Sequence, residues 1–207
     1  YYDQQDWIVN AQRGKRWSWT AFRPHGIYGY AKGSPMNHLM ALSLYASISR
    51  HVGGTLKFPG SPAAFAALNQ YTDARLLARA LAWSVSVQAC ENQAFNINNG
   101  EPERWLNIWP SIASCFGMQE GDVQQLRLAS VMPSLEPVWE SICDQHGLER
   151  NRLTDYVDWN FADWVYSNGF DQISSLEKIR KAGWNEFLRY EDMLETLVAD
   201  LRHRRLI

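Results

Sequence analysis

No apolar run in this 207-residue chain approaches the about 20 residues that cross a bilayer; the longest, at 39–46, is far too short. No secretory signal pattern opens the sequence either. Cysteine is scarce: Cys90, Cys115 and Cys143 are odd in number and lack CxxC spacing, which argues against a disulfide scaffold and a zinc site. The five histidines show no HExxH pairing, so no metal is expected. Charge of one sign is missing too. Lys and Arg total 20 against 22 Asp and Glu, a net charge of -2 with no general attraction for nucleic acid. The basic run Arg202, His203, Arg204, Arg205 ends a predicted helix, where it complements the helix dipole. Repeats and low-complexity segments are lacking. These absences leave a soluble, cytoplasmic globular protein with reduced, buried thiols.

What the chain has in excess is tryptophan. Ten are spread from Trp7 to Trp184, a distribution suited to packing against broad apolar surfaces or lining a hydrophobic pocket. In chain order, 3–12 has the polarity of a helix with Trp7 and Ile8 facing inward, ended by Gly14. A start inside an uncapped helix leads us to expect natural sequence upstream. Residues 17–22, WSWTAF, alternate with period two and predict a strand stopped by Arg23-Pro24. Ser34 and Pro35 predict the cap and first turn of a helix to about His51, apolar most of the way round. A short strand at 55–58, a small-residue loop to Tyr71, a helix capped by Thr72 and a strand at 93–97 stopped by Asn98-Asn99-Gly100 follow. In 103–117 the helical spacing is interrupted by Pro110, which either kinks the helix or marks its first turn. Beyond Gly121 helices are predicted near 137–146, 159–166, 174–182 and 187–204. Strands alternating with helices make the fold class α/β. Ligands of open α/β sheets bind beyond the carboxyl ends of strands, which puts 23–29, RPHGIYG, where a cofactor would lie.

Seven stretches carry a resemblance by their joint order: YYDQQDW, WSWTAFRPHGIYGYAKGSPMN, FPGSPAAF, YTDARLLARA, NQAFNINNGE, RWLNIWPSIASCFGM and EPVWESICDQHGL. Together they resemble the carboxyl-terminal part of extended short-chain dehydrogenases/reductases. More narrowly, they resemble the progesterone 5β-reductase and iridoid synthase-like (PRISE-type) enone reductases. The resemblance runs from Tyr1 to the end. It implies an α/β chain forming the carboxyl-terminal half of a Rossmann-type parallel sheet with a mostly helical substrate-capping region. Residues 1–120 would be the back part of the NAD(P)-binding domain with substrate-domain insertions, and 121–207 the helical cap. The Gly-rich phosphate loop and the catalytic lysine would lie upstream. Indeed no GxxGxxG follows a strand here: Gly26 and Gly29 have the wrong context, and Gly53-Gly54 follows a helix.

The implied activity is NADP(H)-dependent reduction of the C=C bond of a small apolar enone, or of a ketone. Tyr1 aligns with the active tyrosine, and Tyr2 is the alternative. Other members carry lysine four residues on, where this chain has Gln5 and Asp6, a departure that fits the enone reductase branch. Ile27, Ser34 and Met36 match positions near the nicotinamide end of the cofactor, and Pro24 and His25 of the same loop are also expected to be cofactor-binding. Plant members have Pro-Gly-Asn where this chain has Pro24, His25, Gly26, so no role of that asparagine passes to His25. In a 1,4-reduction a tyrosine hydroxyl aimed at the carbonyl oxygen stabilises the enolate; in a carbonyl reduction it is the general acid. The plain alternatives are packing or frayed tyrosines, a solvent-side loop for His25 and core roles for Met36, Met40 and Tyr45. Asp73 with Arg75 and Arg79 is read as a solvated helix face with a local ion pair. Neither nucleic acid nor a membrane is an expected partner, and a homodimer is an allowed assembly. The other functions considered are a sugar-nucleotide epimerase or dehydratase of the same superfamily and a non-catalytic fragment binding a partner through exposed apolar surface.

Overall fold

A computed structural model describes residues 1–31 and 33–207. In chain order the elements are α1 (Tyr2–Gln12), β1 (Thr20–Pro24), β2 (Gly26–Tyr28), α2 (His38–Val52), β3 (Leu56–Phe58), α3 (Pro62–Ala66), β4 (Leu68–Asn69), β5 (Tyr71–Asp73) and α4 (Ala74–Ser84). Then come β6 (Gln93–Ile97), β7 (Glu103–Arg104), α5 (Trp105–Cys115), β8 (Glu120–Val123), α6 (Leu128–Val131), α7 (Glu136–His146), α8 (Leu153–Tyr156), α9 (Trp159–Ser167), α10 (Glu177–Lys181) and α11 (Tyr190–His203). The strands pair two by two. β1 with β6, β2 with β5 and β3 with β8 are parallel, and β4 with β7 is antiparallel. Parallel pairs linked through helices are the α/β arrangement that the alternating pattern predicts.

The helix apolar all round is α2, and its residues from His38 to Ala46 and Ile48 are buried. It starts three residues later than the Ser34-Pro35 cap predicts, because Asn37 is the cap: its Oδ1 accepts the amide of Met40 at 3.1 Å. Likewise Asp73, not Thr72, caps α4 by accepting the Arg75 amide at 2.7 Å. Its ion pair with Arg75 is real, but the carboxylate is buried, and Arg79 pairs with Glu186 instead. Strand β1 is shifted to Thr20–Pro24, since pairing with β6 begins at Thr20↔Gln93. Pro24 is tolerated as its last residue. Trp7, expected inside, is 71% exposed, and no residue of α1 is buried. The small-residue loop holds α3 and β4, and β8 adds a strand that the sequence pattern did not predict. Pro110 lies inside α5 on its exposed side.

Two cores result. The smaller packs α4 on the β1/β6 pair through Leu76, Ala80, Phe95, Ile97 and Trp184. The larger gathers α2, α5, α7, α9 and α11 around Trp105, Trp109, Tyr166 and Phe58, with ring centroids from 5.1 to 6.4 Å apart. Four phenols and an imidazole are buried with them. Tyr190 donates to the Tyr28 hydroxyl at 3.5 Å, and Tyr28 lies 2.6 Å from His38 Nδ1. His38 Nε2 has no hydrogen-bond partner among the described residues, and the imidazole is flanked by the edge-on rings of Trp105 and Tyr166. Burial holds the Tyr28, Tyr71, Tyr166 and Tyr190 hydroxyls protonated. It also lowers the His38 pKa from 6.5 to about 3.

Below pH 6.5 the unfolded chain binds a proton at His38 that the folded chain refuses. The stabilising contribution of the neutral imidazole is therefore complete above pH 6.5 and falls by about 1.4 kcal/mol per pH unit on the way down to pH 3. Urea unfolding at pH 6.5 and 4.5 should show about 2 kcal/mol more loss in the native sequence than in His38→Gln, which cannot take up that proton.

Candidate active site

The register that ends at Pro24↔Ile97 makes β1 and β6 stop together, so His25 and Asn98 leave the sheet side by side. Asn99 then stitches the neighbouring strand in place. Its amide donates to the Tyr71 carbonyl at 2.7 Å, and its Oδ1 accepts the Asp73 amide at 2.7 Å. Gly100 completes the turn with φ +133°, and a side chain there would place its Cβ 2.3 Å from the Phe187 ring. Only glycine lets the 187–188 segment close on this turn.

A polar constellation forms at this strand end. His25 Nε2 lies 3.0 Å from Ser174 Oγ. Ser174 is delivered by the segment between α9 and α10, and its amide donates to Gln70 Oε1 at 2.7 Å. Asn98 Nδ2 donates to the same serine hydroxyl at 3.4 Å, while Asn98 Oδ1 accepts the Gly100 amide at 2.9 Å. Gln70 Nε2 donates to the Gly100 carbonyl at 3.4 Å. Gln70 and Asn98 are buried and His25 is half-buried, and burial lowers the His25 pKa below its ordinary 6.5. At pH 7 the imidazole is therefore neutral and can donate or accept. The expectation of a solvent-side loop histidine gives way to a clamp between the β1 exit and the 168–176 segment.

Pro24, His25 and Ile27 are brought together here, with Ile27 45% exposed beside the clamp. Ser34 and Met36 lie on the next loop, which Asn37 holds to the β2 exit by donating from Nδ2 to the Gly29 carbonyl at 3.1 Å. Ser34 is half-buried and Met36 is 65% exposed. Tyr1 and Tyr2 stand at the exposed start of α1, 100% and 78% accessible. One link connects that helix turn to the site: Arg23, which precedes Pro24, donates from Nη2 to Gln5 Oε1. Ser174, Gln70 and Asn98 are site residues that the sequence pattern did not identify. Ser174 is 149 positions from His25, and the Asn98-Asn99-Gly100 stretch reads only as a turn. The three thiols are free, and burial raises the pKa of each. Among the described residues no cluster could hold a metal ion and no helix is long and apolar enough to cross a membrane.

Residues 1–177 match the family model described as a PRISE-like Rossmann-fold domain. An (S)-8-oxocitronellyl enol synthase of Nepeta racemosa is 34% identical over 191 residues, covering 90% of this chain and 48% of the relative. A 3-oxo-Delta(4,5)-steroid 5-beta-reductase of Arabidopsis thaliana is 31% identical over 191 residues, covering 90% of this chain and 49% of the relative. The chain thus spans about half the length of these relatives. Among solved structures, the UDP-glucose 4-epimerase of Thermotoga maritima superposes with a TM-score of 0.60 at 13% identity, covering 98% of this chain and 52% of that one. At that identity the likeness is one of fold.

The clamp has a direct test. Replacing buried Gln70 by Leu leaves the Ser174 amide and the Gly100 carbonyl without a partner, a cost of about 1–3 kcal/mol. Hydrogen exchange should show the Ser174 amide opening at least tenfold faster in Gln70→Leu, with amides of the β1/β6 pair little changed.

Proposed function

Since this chain belongs to the PRISE-like Rossmann-fold domain family, we propose that it is the back part of an NADP(H)-dependent reductase of small enones. The observation that carries this is the match over residues 1–177, joined to two relatives above 30% identity whose names both describe enone chemistry. A 3-oxo-Δ4,5 compound is a conjugated enone, and an enol is the tautomer that hydride addition to such a system leaves.

The residues present fit the nicotinamide end of such a cofactor. Ile27 in β2 and Met36 on the loop that leads to α2 offer exposed apolar side chains, with a neutral His25 and Ser34 next to them along the chain, so an uncharged ring meets no buried charge. The cofactor supplies the hydride when bound. What this chain supplies is position and polarity. Ile27 and Met36 keep water from the reacting carbon, Pro24 and His25 shape the loop, and the His25–Ser174 clamp holds the 168–176 segment across it. The tyrosine hydroxyl of Tyr1, or of Tyr2 in its place, donates a hydrogen bond to the substrate carbonyl oxygen. There negative charge grows as the β-carbon is reduced, and the proton stays on the phenol while the oxygen becomes an enolate. The lysine that would favour this charge lies upstream in our proposal. The division at residue 120 is part of the same proposal, with 121–207 as the helical cap over an apolar substrate. The likeness to a sugar-nucleotide epimerase extends to fold alone and does not favour that chemistry.

In the complete protein, Tyr1→Phe should lower enone turnover by about a hundredfold or more, with NADPH affinity within about twofold of the native value by fluorescence titration. Native turnover in Tyr1→Phe with a lost rate in Tyr2→Phe moves the role to Tyr2. Native turnover in both variants overturns the tyrosine assignment.

A further inference from the structure

At the end of the molecule formed by the carboxyl termini of α2, α7 and α11, a cleft of about 530 Å³ is lined by Arg50, His51, His146, Arg202 and Arg205. None of its described lining residues is Asp or Glu. This is a local excess of cations in a chain whose net charge is -2. Basic residues near helix carboxyl ends ordinarily offset the helix dipole, and Arg204 does more, pairing with Asp200 at 2.8 Å outside the cleft. The cleft arginines behave otherwise. Arg50 and Arg205 have no ion-pair partner among the described residues. Arg202 is held in place by donating to the Cys115 carbonyl at 2.8 Å and lies over the Phe116 ring, with no carboxylate on it.

Arg205 supplies a second, independent observation. It follows the end of α11 with φ +57°, a left-handed conformation in which glycine is the ordinary residue and a side chain costs about 1 kcal/mol. Its backbone is pinned there, the amide on the Arg202 carbonyl at 2.9 Å and the carbonyl on the Glu149 amide at 2.8 Å. A residue chosen only to end the helix would be glycine. An arginine here places a third guanidinium in the cleft at a cost to stability.

We propose that this cleft binds a small polyanion of the diphosphate class, separate from the cofactor-facing loop. Three arginines line one cavity that has no Asp or Glu among its described lining residues, and their guanidinium groups are planar forks that match phosphate oxygens. The side-chain charges of the lining are all of one sign, and beyond offsetting the helix carboxyl ends they focus a field that draws such an anion in. The volume falls in the range of small-ligand sites, roughly 300–1,000 Å³. The same group could arrive as free pyrophosphate or as the diphosphate of an organic ester.

Isothermal titration calorimetry of the intact protein with inorganic pyrophosphate, and in parallel with ADP, tests this. Saturable binding of pyrophosphate that weakens as salt rises is expected, and at least about tenfold weaker binding in both Arg50→Gln and Arg205→Gly. Equal binding of ADP assigns the site to an organic diphosphate, and binding of pyrophosphate alone assigns it to the free ion; either supports the proposal. Arg205→Gly should also keep or raise the melting temperature, because glycine takes the left-handed conformation without strain. A lower melting temperature with unchanged pyrophosphate affinity would show a purely structural arginine. Absence of saturable binding in the native protein, or native affinity in both variants, overturns the proposal.

Discussion

Parallel pairing of β1 with β6 is the constraint on which the candidate site depends. Five residues of each strand run in step, from Thr20↔Gln93 to Pro24↔Ile97, and their common end sets His25 beside Asn98. A slip of one residue would turn Phe22 and Phe95 away from the α4 side, where Phe95 and Ile97 are buried. The hydrophobic core therefore fixes the register, and the register places the polar groups. The clamp through Ser174 can form only because both strands stop at the same level.

The larger core holds another parallel pair, β2 with β5. Tyr28 is the last residue of β2 and Tyr71 the first of β5, and both phenols are drawn inward to Tyr190 and Trp105, with Tyr71 and Tyr190 centroids 4.7 Å apart. This anchors the chain directly after Ile27, so that exposed apolar residue of β2 sits on a rigid base. It has a price in acid sensitivity, because an imidazole sealed among rings cannot take a proton. Helix α1 is the opposite case. With Trp7 exposed and no buried residue, its first turn is tied to the β1 end by the bond from Arg23 to Gln5.

Much of the architecture was legible in the order of residues. Strand β6 falls where its β-branched and aromatic pattern and the Asn98-Asn99-Gly100 turn place it, and α2 is buried all round as its composition requires. The boundaries that moved did so for local hydrogen-bonding reasons. Asn37 and Asp73 captured the caps from Ser34 and Thr72 because their side chains reach the amides of Met40 and Arg75 once the preceding strands are paired. Short strands such as β4 and β8 carry no periodic signal, since two to four residues are too few to show one.

The sequence by itself determined the α/β class and the family, because periodicity, turn residues and motif order are properties of neighbours along the chain; the stretch 23–29, read there as a loop, instead ends β1 at Pro24 and forms β2 from Gly26 to Tyr28. Tertiary structure alone decided that His25 bonds to Ser174, that Gln70 and Asn98 complete the clamp, and that Arg50, Arg202 and Arg205 share one cleft. His25 and Ser174 are 149 positions apart, and Arg50 is far along the chain from Arg202 and Arg205. Nothing in local propensity couples them; the clamp residues meet because β1 and β6 end in register, and the cleft arginines because α2, α7 and α11 pack in one core with their carboxyl ends together.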